Sequence, residues 1–140
     1  NRNGKRRRRH VDHWRPVHQW TEKQVWEVIE RHNVNPHPAY KLGWGRLSCA
    51  ACIFGSMHQW ASLNDVNPEQ VQRIADYEQE FGTTIHRKRS VPEQVALGTP
   101  YENMDPDECL KALSNKYTDP IFVKPWILPN GAFGENTGPT

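Results

Sequence analysis

Long apolar runs are missing from this 140-residue sequence, and apolar residues are scarce throughout it. Only 36% of the residues are hydrophobic, and the mean hydropathy is −0.88. Nowhere do about 18 apolar residues follow one another, which excludes a transmembrane helix. No apolar segment follows Asn1, so no signal peptide is predicted, and the missing initiator Met favours a true start elsewhere. Six tryptophans add large apolar side chains to a sequence that otherwise has few residues for a hydrophobic core.

Cysteine is also scarce, because the sequence has only three. An odd number, with only Cys49 and Cys52 close together, makes a poor disulfide framework. The pair fits better with metal binding or redox chemistry in a reducing compartment. The sequence therefore predicts a cytoplasmic protein without a membrane partner.

The net charge of +2 conceals an uneven distribution. Residues 1–20 have a net charge of +6, whereas the remaining 120 residues have −4. The basic arm, residues 1–13, is typical of segments that bind phosphate-bearing partners such as nucleic acid, and a solvated leader is the alternative. Residues 87–89 form a second basic cluster, which we interpret as a solvated face. The clustered cations of the arm are Lys5, Arg6, Arg7, Arg8 and Arg9.

Local patterns predict the elements in the first half of the chain. The aromatic and β-branched segment 14–20 predicts one brief strand. Thr21 and Gln24 have the spacing of a capping box, which predicts a helix that ends near His32. Residues 56–63 are expected to form another short helix.

Proline and acidic residues mark two further helix starts, at Asn67 and at Asp105. The first of these helices should end at Gly82, which stands where a terminating glycine is common. The side chains expected to face inward are Val71, Ile74, Ala75 and Phe81 on the first helix and Leu110, Leu113 and Tyr117 on the second.

The segment is therefore predicted to be mainly α, with three to four helices and one or two short strands. A free-standing sheet is not expected, because one strand cannot satisfy its own backbone groups. Residues 14–118 would form the body, and the proline- and glycine-rich tail, residues 119–140, would wrap around it or extend into solvent.

The sharpest local feature is the Cys-Ala-Ala-Cys sequence at Cys49 and Cys52. Two thiolates at this spacing can hold one metal ion or the edge of a cluster. Such sites commonly have four ligands, so the pair is half a site. Cys109 with His58 or His86 are candidates for the rest, although nothing in their spacing favours them. A redox dithiol and unliganded core thiols are the alternatives.

Candidate anion-binding residues lie close to the cysteines in sequence. Arg15 and Arg46 offer planar guanidinium groups for phosphate or sulfate, and Arg46 would place a cation beside the Cys49 thiolate. His37, between two prolines, is a candidate ligand or proton donor, with loop capping as the alternative. Trp44, flanked by glycines, is the tryptophan expected to touch a ligand.

Four short motifs, taken in order, resemble a known family. Their order and spacing are similar to the C-terminal half of the phosphoadenylyl-sulfate (PAPS) reductase family, over roughly residues 14–60. That family belongs to the PP-loop, or adenine-nucleotide α-hydrolase-like, superfamily. The motifs are Trp14-Arg15-Pro16-Val17, Trp20-Thr21-Glu22 with Val25-Trp26, His37-Pro38-Ala39-Tyr40, and Gly45-Arg46-Leu47-Ser48-Cys49-Ala50-Ala51-Cys52.

The resemblance implies an α/β fold whose parallel sheet lies on a preceding part of the protein and is completed by this segment. It also implies adenylyl sulfate or another adenine nucleotide as the substrate. Cys49 and Cys52 would be two ligands of an iron–sulfur cluster, with zinc as the alternative metal. Arg15 and Arg46 would lie near the bound sulfate or phosphate.

Three parts of the family pattern are missing from the sequence: the Ser-Gly-Gly-x-Asp-Ser phosphate loop, an upstream cysteine pair and a C-terminal catalytic cysteine. We therefore expect a truncated or split protein, in which a preceding segment or a separate chain carries the PP-loop. This chain alone should be inactive, and no catalytic residue is assigned to it. As part of the assembly it would serve an oxidoreductase or a sulfurtransferase of sulfur metabolism. The alternative is a nucleic-acid-binding or zinc-stabilised interaction module without catalysis.

Overall fold

The computed structural model describes residues 12–47 and 49–134. Within these ranges the chain forms six α-helices and no β-strand, which confirms the mainly helical prediction. None of these helices has the length and apolar character needed to cross a membrane. Two of the six, α2 and α5, were not predicted. The helices are α1 (Glu22–Arg31), α2 (Pro38–Lys41), α3 (Met57–Val66), α4 (Pro68–Phe81), α5 (Val91–Leu97) and α6 (Pro106–Leu113).

The predicted strand over residues 14–20 is wrong, because this segment forms turns. The backbone N–H of His18 donates to the carbonyl of Arg15 at 3.2 Å. The N–H of Trp20 donates to the carbonyl of Val17 at 3.1 Å. A strand needs a neighbour for its backbone groups, and the described part of the chain has no other strand beside this segment. Local turns therefore take up these groups instead.

The predicted helix caps are confirmed. The Thr21 hydroxyl accepts from the N–H of Gln24 at 3.3 Å, and the Gln24 side chain accepts from the N–H of Thr21 at 2.8 Å. Asn67 caps α4 by accepting from the N–H of Gln70 at 3.1 Å. Gly82 ends α4 with φ of 60°, a left-handed conformation that glycine adopts without strain. Caps are predictable because all their atoms lie within a few residues of one another.

The core forms where α3 packs against α4 and α5. Trp60 and Leu63 of α3 are 1% and 2% exposed, so they lie at its centre. Val71 and Ala75 of α4 are buried as predicted, and Ile74 is half-buried beside them. The predicted burial of Phe81 is wrong, because its side chain at the end of α4 is 67% exposed. The buried cluster is Leu42, Trp44, Trp60, Leu63, Val71 and Val91.

The predicted inward face of α6 is wrong. Its half-buried side chains that pack on the core are Cys109 and Ala112. An ion pair of 3.3 Å between Lys41 of α2 and Glu108 adds to this packing, and together these contacts set the rotation of α6. The three side chains expected inside are exposed, Leu110 at 69%, Leu113 at 45% and Tyr117 at 52%.

The described part of the tail, residues 119–134, wraps back over α1 and α2. The indole Nε1 of Trp126 donates to the carbonyl of Val34 at 3.0 Å. The N–H of Gly131 donates to the carbonyl of Tyr40 at 2.7 Å. A Cβ at position 131 would clash with the carbonyl of Trp44, so only glycine permits this approach. The tail thereby fixes the backbone of the loop that follows α2.

We predict that Glu78→Gln lowers the free energy of unfolding by about 1–2 kcal/mol. The two carboxylate oxygens of Glu78 accept from the N–H groups of Ile85 and Val91, each at 2.8 Å, and Val91 is fully buried. Gln retains only one acceptor for these two donors. Urea denaturation measures the change, and Glu80→Gln on the exposed side of α4 is the control. Equal effects of the two substitutions would contradict the anchoring role of Glu78.

We predict that Gly131→Ala loosens the tail, because the added Cβ collides with the Trp44 carbonyl. The variant should lose about 1–3 kcal/mol of stability and become cleavable by chymotrypsin at Phe122 or Trp126 in the otherwise native protein. Gly82→Ala is the control, since its strain comes from φ alone and the space beside it is open. Tail cleavage that is no faster in Gly131→Ala than in Gly82→Ala would show that the close approach of Gly131 to the Trp44 carbonyl does not hold the tail in place.

Candidate functional site

The candidate site is built on α2 and the loop that follows it. His37 caps α2, and its ring Nδ1 accepts from the N–H of Ala39 at 3.2 Å. The capping alternative for His37 is therefore observed. Gly43 turns the chain with φ of 114°, where a side chain would also collide with the ring of Tyr101. The sharp turn directs residues 44–47 along the surface of α3 toward the cysteine pair.

A cavity of about 270 Å³, here called the site cavity, opens beside this loop. It brings together a guanidinium group, an imidazole, an indole and a thiol at one opening. The residues that supply these groups were predicted as site residues from the sequence. They are Arg46, His37, Trp44 and Cys49.

Trp44 is both a wall of the site cavity and a member of the core. Its side chain is only 6% exposed. Its ring packs edge-to-face on Tyr101, with centroids 5.3 Å apart and an interplanar angle of 79°. The contact with Tyr101 therefore holds the indole in place on the side away from a ligand in the cavity.

The two cysteines of the pair differ in their surroundings. Cys49 is exposed and lines the site cavity, whereas Cys52 is 5% exposed and faces the core. The carbonyl of Cys52 accepts from the N–H of Gly55 at 2.8 Å, which closes a turn after the pair. Only the first thiol is therefore directly available to a molecule in the cavity.

The other candidate metal ligands do not gather around the pair. The Nδ1 atom of His58 lies 3.0 Å from the backbone nitrogen of Thr99 and 3.1 Å from its carbonyl oxygen, within hydrogen-bonding distance of both. His86 accepts from the N–H of Lys88 at 3.3 Å. Burial raises the pKa of the Cys109 thiol, and the Asp105 carboxylate raises it further, so this cysteine is a protonated core residue at neutral pH.

A complete metal site is not formed by the described residues alone. Among them, no three His, Cys, Asp or Glu side chains are grouped so that they could hold one ion. Zinc and iron–sulfur clusters commonly have four ligands. Cys49 and Cys52 therefore fit such a group only as half of its donor set, with the remainder supplied from elsewhere.

Arg15 is not brought to the site cavity. Arg15 lies in the exposed turn before α1 and does not line the cavity. Lys5 to Arg9 lie outside the described residues. The apolar wall, which includes Leu63, Val66 and Leu113, was not predicted. No local signal could have revealed it, because these residues reach the site from α3 and α6 only through tertiary packing.

Comparisons with known proteins agree with the motifs. Residues 3–54 match the model of the phosphoadenosine phosphosulfate reductase domain family. An uncharacterized 37.8 kDa protein in the gpa 5′ region of Escherichia phage 186 is 32% identical over 77 residues. That match covers 55% of this chain and 23% of the phage protein, so the chain spans about a quarter of its relative. No solved structure is significantly similar to the chain.

The family match covers the residues that line one side of the site cavity. His37, Trp44, Arg46 and the cysteine pair all fall within residues 3–54. The helices α3 to α6 and the tail lie beyond the matched range and support the loop from outside it. Over residues 3–54, this chain is similar to the phosphoadenosine phosphosulfate reductase domain family.

Proposed function

We propose that this chain is the C-terminal segment of a PAPS-reductase-like protein that acts in the cytoplasm on adenylyl sulfate or another adenine nucleotide. The reaction would be a reduction or a sulfur transfer. The observation that carries the proposal is the convergence of Arg46, His37 and Cys49 on one cavity. Cationic and hydrogen-bonding groups beside a thiol suit a substrate that combines a negative charge with sulfur.

The anionic end of the substrate would bind between Arg46 and His37. The guanidinium group of Arg46 keeps its charge at any physiological pH and can donate two parallel hydrogen bonds to sulfate or phosphate. Because the Nδ1 of His37 accepts from Ala39, the proton of a neutral ring lies on Nε2. That atom can donate to a second oxygen of the anion.

The site cavity has room for only part of a nucleotide. Its volume of about 270 Å³ is below the usual range of small-molecule sites, which begins near roughly 300 Å³. The sulfate or phosphate end would lie here, against the indole of Trp44. The adenosine part would then extend toward the PP-loop of a preceding segment or of a separate chain.

Exposed apolar side chains support the proposal that this chain packs on a partner. A contiguous set of exposed apolar side chains marks an interaction surface, and we propose that the following side chains form such a set. Trp14 before α1 is 88% exposed and Leu110 of α6 is 69% exposed. In the tail, Phe122 is 66% and Ile127 is 75% exposed. We propose that these side chains pack on the sheet that carries the PP-loop.

Cys49 and Cys52 would hold an iron–sulfur cluster or a zinc ion together with two donors from the same partner. The bound group would supply electrostatic stabilisation beside the anion. This chain would supply the two thiols, of which Cys49 is exposed and Cys52 is 5% exposed. The zinc-stabilised module remains the alternative, with the metal serving folding alone.

We predict that Arg46→Ala weakens the binding of adenosine 5′-phosphosulfate about tenfold or more, since a charge-assisted hydrogen bond contributes about 1.5–3 kcal/mol. Isothermal titration calorimetry of the purified protein measures the change. Arg31→Ala on the exposed side of α1 removes the same charge away from the cavity and should leave the affinity unchanged. Equal losses in the two variants, or no binding by the unsubstituted protein, would refute the anion site.

We predict that anaerobic purification of this chain together with the segment that carries the PP-loop yields protein with iron and visible absorbance, or with zinc. Cys49→Ser and Cys52→Ser should each lower the metal content, whereas Cys109→Ser should retain it because that thiol lies on α6 in the core. Protein with neither metal would contradict the assignment. Chelation that unfolds the chain without changing nucleotide binding would instead support the zinc-stabilised module.

A further inference from the structure

The outer face of α4 carries a stacked pair of exposed aromatic rings. The rings of Tyr77 and Phe81 are one helical turn apart, with centroids 5.8 Å apart and an interplanar angle of 18°. Tyr77 is 48% exposed and Phe81 is 67% exposed. Neither belongs to the core cluster of the protein. The pair therefore offers a flat, preformed apolar platform to a molecule from solution.

A basic loop is held against the same helix. Glu78, next to Tyr77 in α4, accepts from the N–H groups of Ile85 and Val91 at 2.8 Å each. These two bonds hold both ends of segment 86–90 at the helix, at the residue that follows Tyr77 in the sequence. The segment contains the basic cluster of residues 87–89, for which the sequence alone predicts a solvated face.

Two cationic side chains of this loop are exposed to solvent. Arg87 and Lys88 are exposed, and neither forms an ion pair within the described ranges. The nearby carboxylates of Glu78 and Glu93 accept hydrogen bonds from the backbone at the two ends of the loop. Their oxygens are thus turned toward the protein.

We propose that Tyr77, Phe81 and the loop of residues 86–89 form a binding surface for single-stranded nucleic acid. An unpaired base can stack on the exposed ring while the adjacent phosphates meet Arg87 and Lys88. A duplex hides the faces of its bases, so it can use only the cations. This surface is distinct from the site cavity and from the basic arm, and it does not depend on the proposed function.

Two 12-nucleotide probes separate stacking from charge: oligothymidylate, and an abasic strand of the same length. The unsubstituted full chain should bind oligothymidylate at least about fivefold more tightly than the abasic strand, as measured by fluorescence anisotropy. The basic arm contributes equally to both, so it cancels in the ratio. Phe81→Ala should abolish this preference without changing the affinity for the abasic strand.

Matched controls test each part of the surface. Trp14→Ala removes a more exposed ring elsewhere and should leave the preference for bases intact. Arg87→Ala combined with Lys88→Ala should reduce the slope of log affinity against log salt by about 1.4. Lys23→Ala combined with Arg31→Ala, an equal loss of charge on α1, should leave the slope unchanged.

Three results would overturn the proposal. They are equal affinity for the two strands, loss of the base preference in Trp14→Ala but not in Phe81→Ala, and tighter binding of a duplex than of the single strand. Circular dichroism of each variant shows that its helices are intact. Because all the substituted side chains are exposed, a change in affinity with native helix content reports on binding.

Discussion

The hydrogen bonds between the tail and residues 33–41 are the constraint on which the candidate site depends. This backbone has no sheet in the described chain to satisfy it, so the tail supplies the missing donors. Val123 donates to the carbonyl of Asn33, and Gly131 donates to that of Tyr40. The amide side chain of Asn130 reaches the carbonyl of Lys41 at 2.9 Å. The loop that carries the candidate anion-binding residues is therefore fixed by a segment about 90 residues away.

The same arrangement explains why a polar chain with a small core has so much apolar surface. The buried cluster gathers around α3, and the tail is attached to α1, to α2 and to the residues between them by hydrogen bonds of both backbone and side-chain atoms. Ile121 and Ile127 of the tail remain 64% and 75% exposed. A partner packed on this surface would bury these two side chains.

The features that the sequence predicted correctly are local ones. The caps at Thr21 and Asn67 and the glycine end of α4 involve atoms within a few residues, so propensity and spacing suffice. Helix α5 had the same kind of signal, a capping box between Ser90 and Glu93, and could have been predicted. The convergence of His37 and Arg46 likewise follows from their closeness in the chain.

The features that were wrong or missed depend on tertiary contacts. Segment 14–20 has the composition of a strand, but the described part of the chain contains no other strand with which it could pair. Helix α6 buries Cys109 because of its packing on α2, which its own apolar pattern does not reveal. Leu113 therefore lines the site cavity instead of the core. A sequence pattern indicates which residues are apolar, but the rotation of a short helix is set by what it meets.

Alkylation of Cys49 is the most direct test of a sulfur-containing anion in the site cavity. Cys49 is exposed at the cavity, whereas Cys109 is half-buried on α6 and serves as an internal reference. In reduced, metal-free protein, saturating adenosine 5′-phosphosulfate should slow the reaction of Cys49 with N-ethylmaleimide severalfold and leave that of Cys109 unchanged. A Cys49 rate that is the same with and without the nucleotide would contradict the account.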